Sequence, residues 1–185
     1  MSAGETTTQQ DAIELLTADH QEVEAMFGQI ETLPQGAERD ELVQQVTREL
    51  SVHAAIEEQV LYPAMRRSLA DGESQVEEAL DEHQAVKETL VDIERASDPD
   101  ERDELLEELI GDVRHHVEEE EGELFPELRA AIGPDELRDM GSALAAAKKM
   151  APTHPHPHAP NTPPGNIVGG VAAAAADKIR DAVQR

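Results

Sequence analysis

No cysteine occurs anywhere in the 185 residues. That absence removes a disulfide framework, a thiolate metal site and a cysteine nucleophile together, so any metal held here must be held by nitrogen and oxygen. Positive charge is also scarce. Fifteen Lys and Arg stand against 41 Asp and Glu, a formal charge of −26, which repels phosphate backbones and anionic membranes alike. No nucleic acid and no membrane is therefore expected as a partner. Long apolar runs are missing too. The longest, Val171 to Ala176, falls far short of the ~20 residues that a bilayer span requires. The opening Met-Ser-Ala-Gly-Glu-Thr-Thr-Thr-Gln-Gln has neither a basic residue nor an apolar core, unlike an ordinary signal peptide. A cytoplasmic protein is the expectation.

What the sequence does have is a repeat. His53-Ala-Ala-Ile-Glu57-Glu58-Gln-Val-Leu61-Tyr62-Pro63 returns sixty-three residues later as His116-Val-Glu-Glu-Glu120-Glu121-Gly-Glu-Leu124-Phe125-Pro126. The same offset relates His20-Gln21 to His83-Gln84, and Glu38-Arg-Asp-Glu-Leu42 to Glu101-Arg-Asp-Glu-Leu105. Self-similarity over such a span defines the architecture before any local assignment. It gives two helical hairpins, each with one lone His and one His-x-x-x-Glu.

Apolar periodicity supplies the helices. From Asp11 to about Leu33 the stripe is Ile13, Leu16, Val23, Phe27 and Ile30, with His20 on it. A second helix, from about Glu38 to Tyr62, presents Leu42, Val46, Leu50, His53, Glu57 and Val60, and Met65 and Leu69 extend it past a kink at Pro63. The third, about Ser74 to Arg95, carries Val76, Leu80, His83, Val86 and Leu90. The fourth, from about Glu101 through Leu124 to Ile132, carries Leu105, Leu109, Val113, His116, Glu120 and Leu124. The fold expected is all-α, an up-down-up-down four-helix bundle over residues 11–132. A short fifth helix follows at 133–150. Residues 151–185 form a Pro- and His-rich linker and an Ala-rich tail, whose helix, about Val171 to Val183, either docks on the bundle or frays.

Six polar groups thus fall on stripes that face a core. Glutamate is rarely buried unless it is paired or bound, and no Lys or Arg lies on these stripes to pair Glu57 and Glu120. Neutral imidazoles accept a cation. A metal centre satisfies all six at once, and four nitrogens with two carboxylates suit a pair of first-row transition ions that each glutamate can bridge.

The order H…HxxxE…H…HxxxE, with Leu61-Tyr62-Pro63 and Leu124-Phe125-Pro126 closing the second and fourth helices, resembles the hemerythrin-like HHE cation-binding domain over roughly residues 11 to 132. That resemblance implies a non-haem di-iron centre, with manganese or zinc as alternatives, held by His20, His53, Glu57, His83, His116 and Glu120. Two departures from the oxygen carriers matter. Where the carriers place a second histidine one turn after the third-helix histidine, this chain has Lys87. Where they use Asp on the fourth helix it has Glu120, which leaves the bridging geometry open. One nitrogen fewer leaves room for a water or a small ligand. The implied ligand is O2, peroxide or nitric oxide. Enzymatic turnover, sensing or storage without turnover, and a zinc-holding structural bundle all remain open.

Several neighbours read more plainly. Glu58 and Glu121 lie one residue off the stripe and read as solvated surface rather than as partners that orient a histidine. His115 competes with His116, because its five-residue spacing to Glu120 resembles that of true hemerythrins, but the repeat selects His116. Tyr62 reads as a packing residue whose hydroxyl finds water, and His154-Pro-His156-Pro-His158 as an extended, mobile linker. A ferritin-like site is excluded by spacing. It needs Glu three residues before a histidine, where this chain has Thr17, Leu50, Leu80 and Val113.

Overall fold

Asp11 starts the first helix, α1 (Ala12–Ile30), with a capping box: its side chain accepts from the Glu14 N–H while the Glu14 carboxylate accepts from the Asp11 N–H. Two of the N–H groups that a helix start leaves unpaired are satisfied in this way. The computed structural model describes residues 10–163 and 165–183. Among them the chain continues as α2 (Ala37–Ile56), α3 (Tyr62–Ser68), α4 (Gly72–Arg95), α5 (Pro99–Glu119), α6 (Phe125–Ala131), α7 (Pro134–Lys148) and α8 (Gly165–Val183), with no strand. α2 and α3 form one rod and α5 and α6 another, each joined through a single wide turn. With α1 and α4 they make the four-helix bundle. α1 packs on α2 and α4 on α5, so each copy of the repeat is an antiparallel hairpin.

The wide turns are the main local departure from the sequence reading. At Glu57–Leu61 and Glu120–Leu124 the helix opens to π geometry, and the N–H groups of Tyr62 and Phe125 bond the carbonyls of Glu57 and Glu120, five residues back. Each turn is followed at once by a proline, Pro63 or Pro126, that has no N–H to carry the wide register further. One extra residue therefore fits without breaking the rod, and the buried stripe advances: Leu61 is fully buried while Val60 is only half-buried.

A tight turn joins the two hairpins. Gly72 lies so close to α3 that a Cβ there would sit 2.4 Å from the Met65 carbonyl oxygen, which only glycine tolerates. At the far end the repeat ties itself together reciprocally, Arg39 pairing with Asp103 and Arg102 with Asp40 at 2.6 Å. α7 lies along α1 and α2, and a Cβ at Gly141 would come within 2.4 Å of the Gln10 carbonyl oxygen.

The apolar interior is divided in two. One cluster holds Leu16, Ile56, Leu61, Tyr62, Met65, Leu80, Phe125 and Leu128 with Leu137 and Leu144 of α7. The other holds Val23, Phe27, Val46, Leu50, Leu90, Leu106, Leu109 and Val113. On α1, α2, α4 and α5 the histidine falls between the two, so a polar layer crosses the middle of the bundle.

The tail corrects the reading of a mobile linker. Asp177 of α8 accepts from the backbone N–H groups of Thr153 and His154 and lies 3.1 Å from His156 Nε2. His154 is held between Asp181 (2.9 Å) and Glu94 of α4 (3.2 Å). α8 starts at Gly165, six residues earlier than its apolar content suggests, and docks on the first π-turn. There Asn166 Nδ2 donates to the Glu58 carbonyl at 3.1 Å, the acceptor that Pro63 leaves without a helical partner.

Candidate metal centre

The four histidines and two glutamates of the polar layer meet in one place. His20 Nε2 lies 3.1 Å from His53 Nε2, and His83 Nε2 lies 3.2 Å from His116 Nε2. Glu57 stands between the pairs, one oxygen 3.2 Å from His53 and the other 3.4 Å from His83. Glu120 does the same from the opposite side, 3.4 Å from His20 and 3.5 Å from His116. Both carboxylates are 0% exposed, and none of their four oxygens has a hydrogen-bond partner.

Such an arrangement has a cost that the protein alone does not offset. A buried carboxylate without hydrogen bonds forfeits its hydration. In the metal-free chain the histidines answer by taking up protons. Burial by itself would depress His53, but the neighbouring Glu57 carboxylate, with Asp19 and Glu120 nearby, pushes it up to about 10. His116 is likewise pushed up to about 9 against its burial, chiefly by Glu120 and Glu82. Glu57, which burial alone would raise, is held well below the usual carboxylate range by His53 and His83. Two cations in place of those protons would satisfy the same oxygens. The donor atoms fall into two such groups, His20, His53, Glu57 and Glu120 in one and Glu57, His83 and His116 in the other. Nitrogen and carboxylate donors in this ratio fit a first-row transition metal pair.

A carboxylate backs every imidazole on its far side. Glu121 takes the Nδ1–H of His20 at 2.8 Å, Glu58 that of His83 at 3.2 Å and Glu82 that of His116 at 2.6 Å. Asp19 stands 3.8 Å from His53 Nδ1, an ion-pair distance too long for a hydrogen bond. A proton fixed on Nδ1 leaves the Nε2 lone pair facing the centre and raises its basicity. These four are themselves repeat-related: Asp19 matches Glu82, and Glu58 matches Glu121. The reading of Glu58 as solvated surface is thereby corrected, whereas Glu121 keeps a 40% exposed side chain and bonds His20 from the surface. Glu58 is only 5% exposed and also accepts from Lys87 Nζ at 2.5 Å. The first π-turn explains the miss at Glu58, because its added residue swings the position after Glu57 off the outer face. The signal available in the sequence was the repeat itself.

Three further placements bear on the site. His116 points inward, while the His115 side chain is 65% exposed and faces Glu119 at 3.4 Å. Tyr62 is 1% exposed, and its hydroxyl donates to His83 Nε2 at 3.0 Å instead of finding water. Its repeat mate Phe125 stacks on His20 with ring centres 5.8 Å apart. A cavity of about 230 Å³, walled by Val23, Phe27, Leu50, Val86 and Val113, reaches all four histidines from between α1 and α5.

Comparison with known proteins agrees with this geometry. The sequence profile of the hemerythrin HHE cation-binding domain matches residues 11–128. An uncharacterized hemerythrin-like protein from Schizosaccharomyces pombe is 32% identical over 169 residues, 90% of this chain and 83% of that one. A protein named DNA nickase, from a Nostoc species, is 28% identical over 137 residues, 73% of this chain but only 38% of its own length. Among solved structures, a hemerythrin HHE cation-binding domain-containing protein from Mycobacterium kansasii aligns with a TM-score of 0.66 at 25% identity, over 76% of this chain and 86% of that one.

Proposed function

The chain belongs to the hemerythrin HHE cation-binding domain family, and on that premise we propose that it holds two iron ions between Glu57 and Glu120 and takes up O2, peroxide or nitric oxide beside them. One observation carries the reading. Two fully buried carboxylates without hydrogen bonds face four imidazole Nε2 atoms, and an apolar cavity opens onto the same histidines. In this assignment His20 and His53 would hold one ion and His83 and His116 the other, with Glu57 and Glu120 supplying the carboxylate donors.

Iron bound there would supply redox-active Lewis-acid chemistry toward small oxygen and nitrogen ligands. The residues of the chain do the rest. Glu58, Glu82 and Glu121 orient the imidazoles, and Val23, Phe27, Leu50 and Val113 keep bulk water from the approach. Lys87, at the position where oxygen carriers place a further histidine, is engaged with Glu58 and adds no nitrogen to the centre. That leaves room for an exogenous ligand and supports reaction or sensing over simple carriage. The formal charge of −26 gives no support for extending the nickase name of the Nostoc relative to this chain.

The test is to load the metal-free chain anaerobically with ferrous ion, measure iron per chain, and record the absorption spectrum before and after O2, peroxide and nitric oxide. Two irons with ligand-dependent ferric bands are expected. Sustained turnover then marks an enzyme, and saturable binding without turnover a sensor or store. Exclusive zinc loading with no spectral response would refute the proposal.

A further inference from the structure

The repeat provides an internal control for a second feature, the surface above the centre. In the first hairpin the face formed by Leu15, Val52, Ile56 and Val60 is apolar and packs in the cluster that includes Leu137, Met140 and Leu144 of α7. Asp19, on that face, is held by Lys148 of α7 at 2.8 Å. The repeat mates in the second hairpin are Glu78, His115, Glu119 and Glu123, with Glu82 in the place of Asp19. Where the first hairpin is sealed by an added helix, the second keeps a cleft of about 80 Å³ lined by these glutamates.

The cleft leads inward. Its walls include His116 and Glu120, and Glu120 is the 0% exposed carboxylate whose two oxygens have no hydrogen-bond partner. At the outer end, donor atoms of Glu82, His115 and Glu119 all lie within 4.8 Å of one another. Glu82 belongs to both ends, since the same side chain accepts from His116 Nδ1 at 2.6 Å. We infer that Glu82, His115 and Glu119 form a transient divalent-cation site, and that the carboxylate-lined cleft between α4 and α5 conducts cations from it to Glu120.

Two physical arguments support that assignment. Carboxylates substituted for apolar residues at three matched positions, Glu78, Glu119 and Glu123, carry no packing benefit, whereas a cleft lined by one sign of charge concentrates counter-ions and raises their on-rate by roughly 10 to 10³-fold. Two carboxylates and one imidazole, partly exposed, give a weak and exchangeable site suited to relaying an ion rather than keeping it. The cavity between α1 and α5 has mainly apolar walls, and the two carboxylates that also line it are already engaged, Glu24 by Arg114 and Glu121 by His20. Charged and neutral species therefore approach the centre by different sides.

The inference rests on the dimetal reading, and one experiment separates the two. Metal-free full-length chain is mixed anaerobically with ferrous ion released from a coloured chelator, and the uptake rate and final stoichiometry are followed for the wild type, H115Q/E119Q and E108Q. The last removes one exposed charge of α5 away from the cleft. The expected result is two ions per chain in all three, with uptake about tenfold slower in H115Q/E119Q only. Wild-type rates in the double variant, or equal slowing in E108Q, would overturn the uptake route while leaving the dimetal centre standing. A double variant that ends below two ions would also overturn it, by making these residues part of the centre. A wild type that takes up no ion would refute both readings.

Discussion

Glu57 and Glu120 are residues whose burial makes sense only with a cation beside them, and substitution separates that role from packing. Glu57→Leu/Glu120→Leu is expected to lose both ions, as read by metal analysis. The metal-free form should gain about 1–4 kcal/mol, since apolar residues of similar volume often outperform buried charged groups. Retention of two ions would refute the bridging role. The histidines give a pH prediction. In the metal-free chain His53 and His116 are pushed up to about 10 and about 9, above the ordinary histidine value. A raised pKa contributes stability that is complete below the ordinary value and is lost as pH rises through the raised one. Melting of the metal-free chain should therefore weaken between about pH 7 and pH 10. The loaded chain needs unprotonated Nε2 atoms and should gain over the same rise until the imidazoles are free of protons. Parallel pH profiles for the two forms would refute the assignment. Tyr62→Phe copies the Phe125 half of the repeat, removes one buried hydrogen bond and is expected to cost the metal-free chain about 1 kcal/mol in chemical denaturation.

At the scale of the element, the π-turns decide which side chains reach the centre. Gly122 lies inside the second one with no atom close to its missing Cβ. Deleting it should restore a regular helix and leave Pro126 in the interior, where its ring meets the carbonyl four residues back, at a cost of about 3 kcal/mol. Adding Pro126→Ala to the deletion should recover most of that loss. If the deletion alone is neutral by thermal unfolding, the proline does not end the wide register. The same turns mark where the sequence is legible. Ile13, Leu16, Val23, Phe27 and Ile30 announce α1 by period alone, and the sixty-three-residue offset pairs the hairpins and chooses His116 over His115. Glu58, Leu61 and Tyr62 escape a 3.6-residue reading because the period itself changes at Glu57. The tail escapes it for another reason. His154 and His156 are held by Asp181 and Asp177, more than twenty residues later, and no local pattern encodes that pairing.

Across the whole molecule the duplicated bundle is dressed unequally. α7 covers one hairpin, α8 and the 151–163 segment brace the first π-turn, and the glutamates of the second hairpin stay open to solvent. No described helix is long and apolar enough to cross a membrane. Asn166→Ala tests the brace: it leaves the Glu58 carbonyl without its donor and should cost about 1–3 kcal/mol in thermal or urea unfolding. Two ions per chain should be retained, because the bond is to backbone and not to the centre. A loss of ions would show that α8 holds the site together as well as the fold. The two hairpins are also crossed at the polar layer. His20 leans on Glu121 and His83 on Glu58, and each pair of histidines faces one carboxylate from either hairpin. If two ions sit there as proposed, the loaded chain would have no half-open form, since parting the hairpins would separate the donors of both positions at once. Backbone amides of α1 and α4 should then exchange with solvent deuterium at one common slow rate when loaded, and at separate, faster rates when the ions are removed.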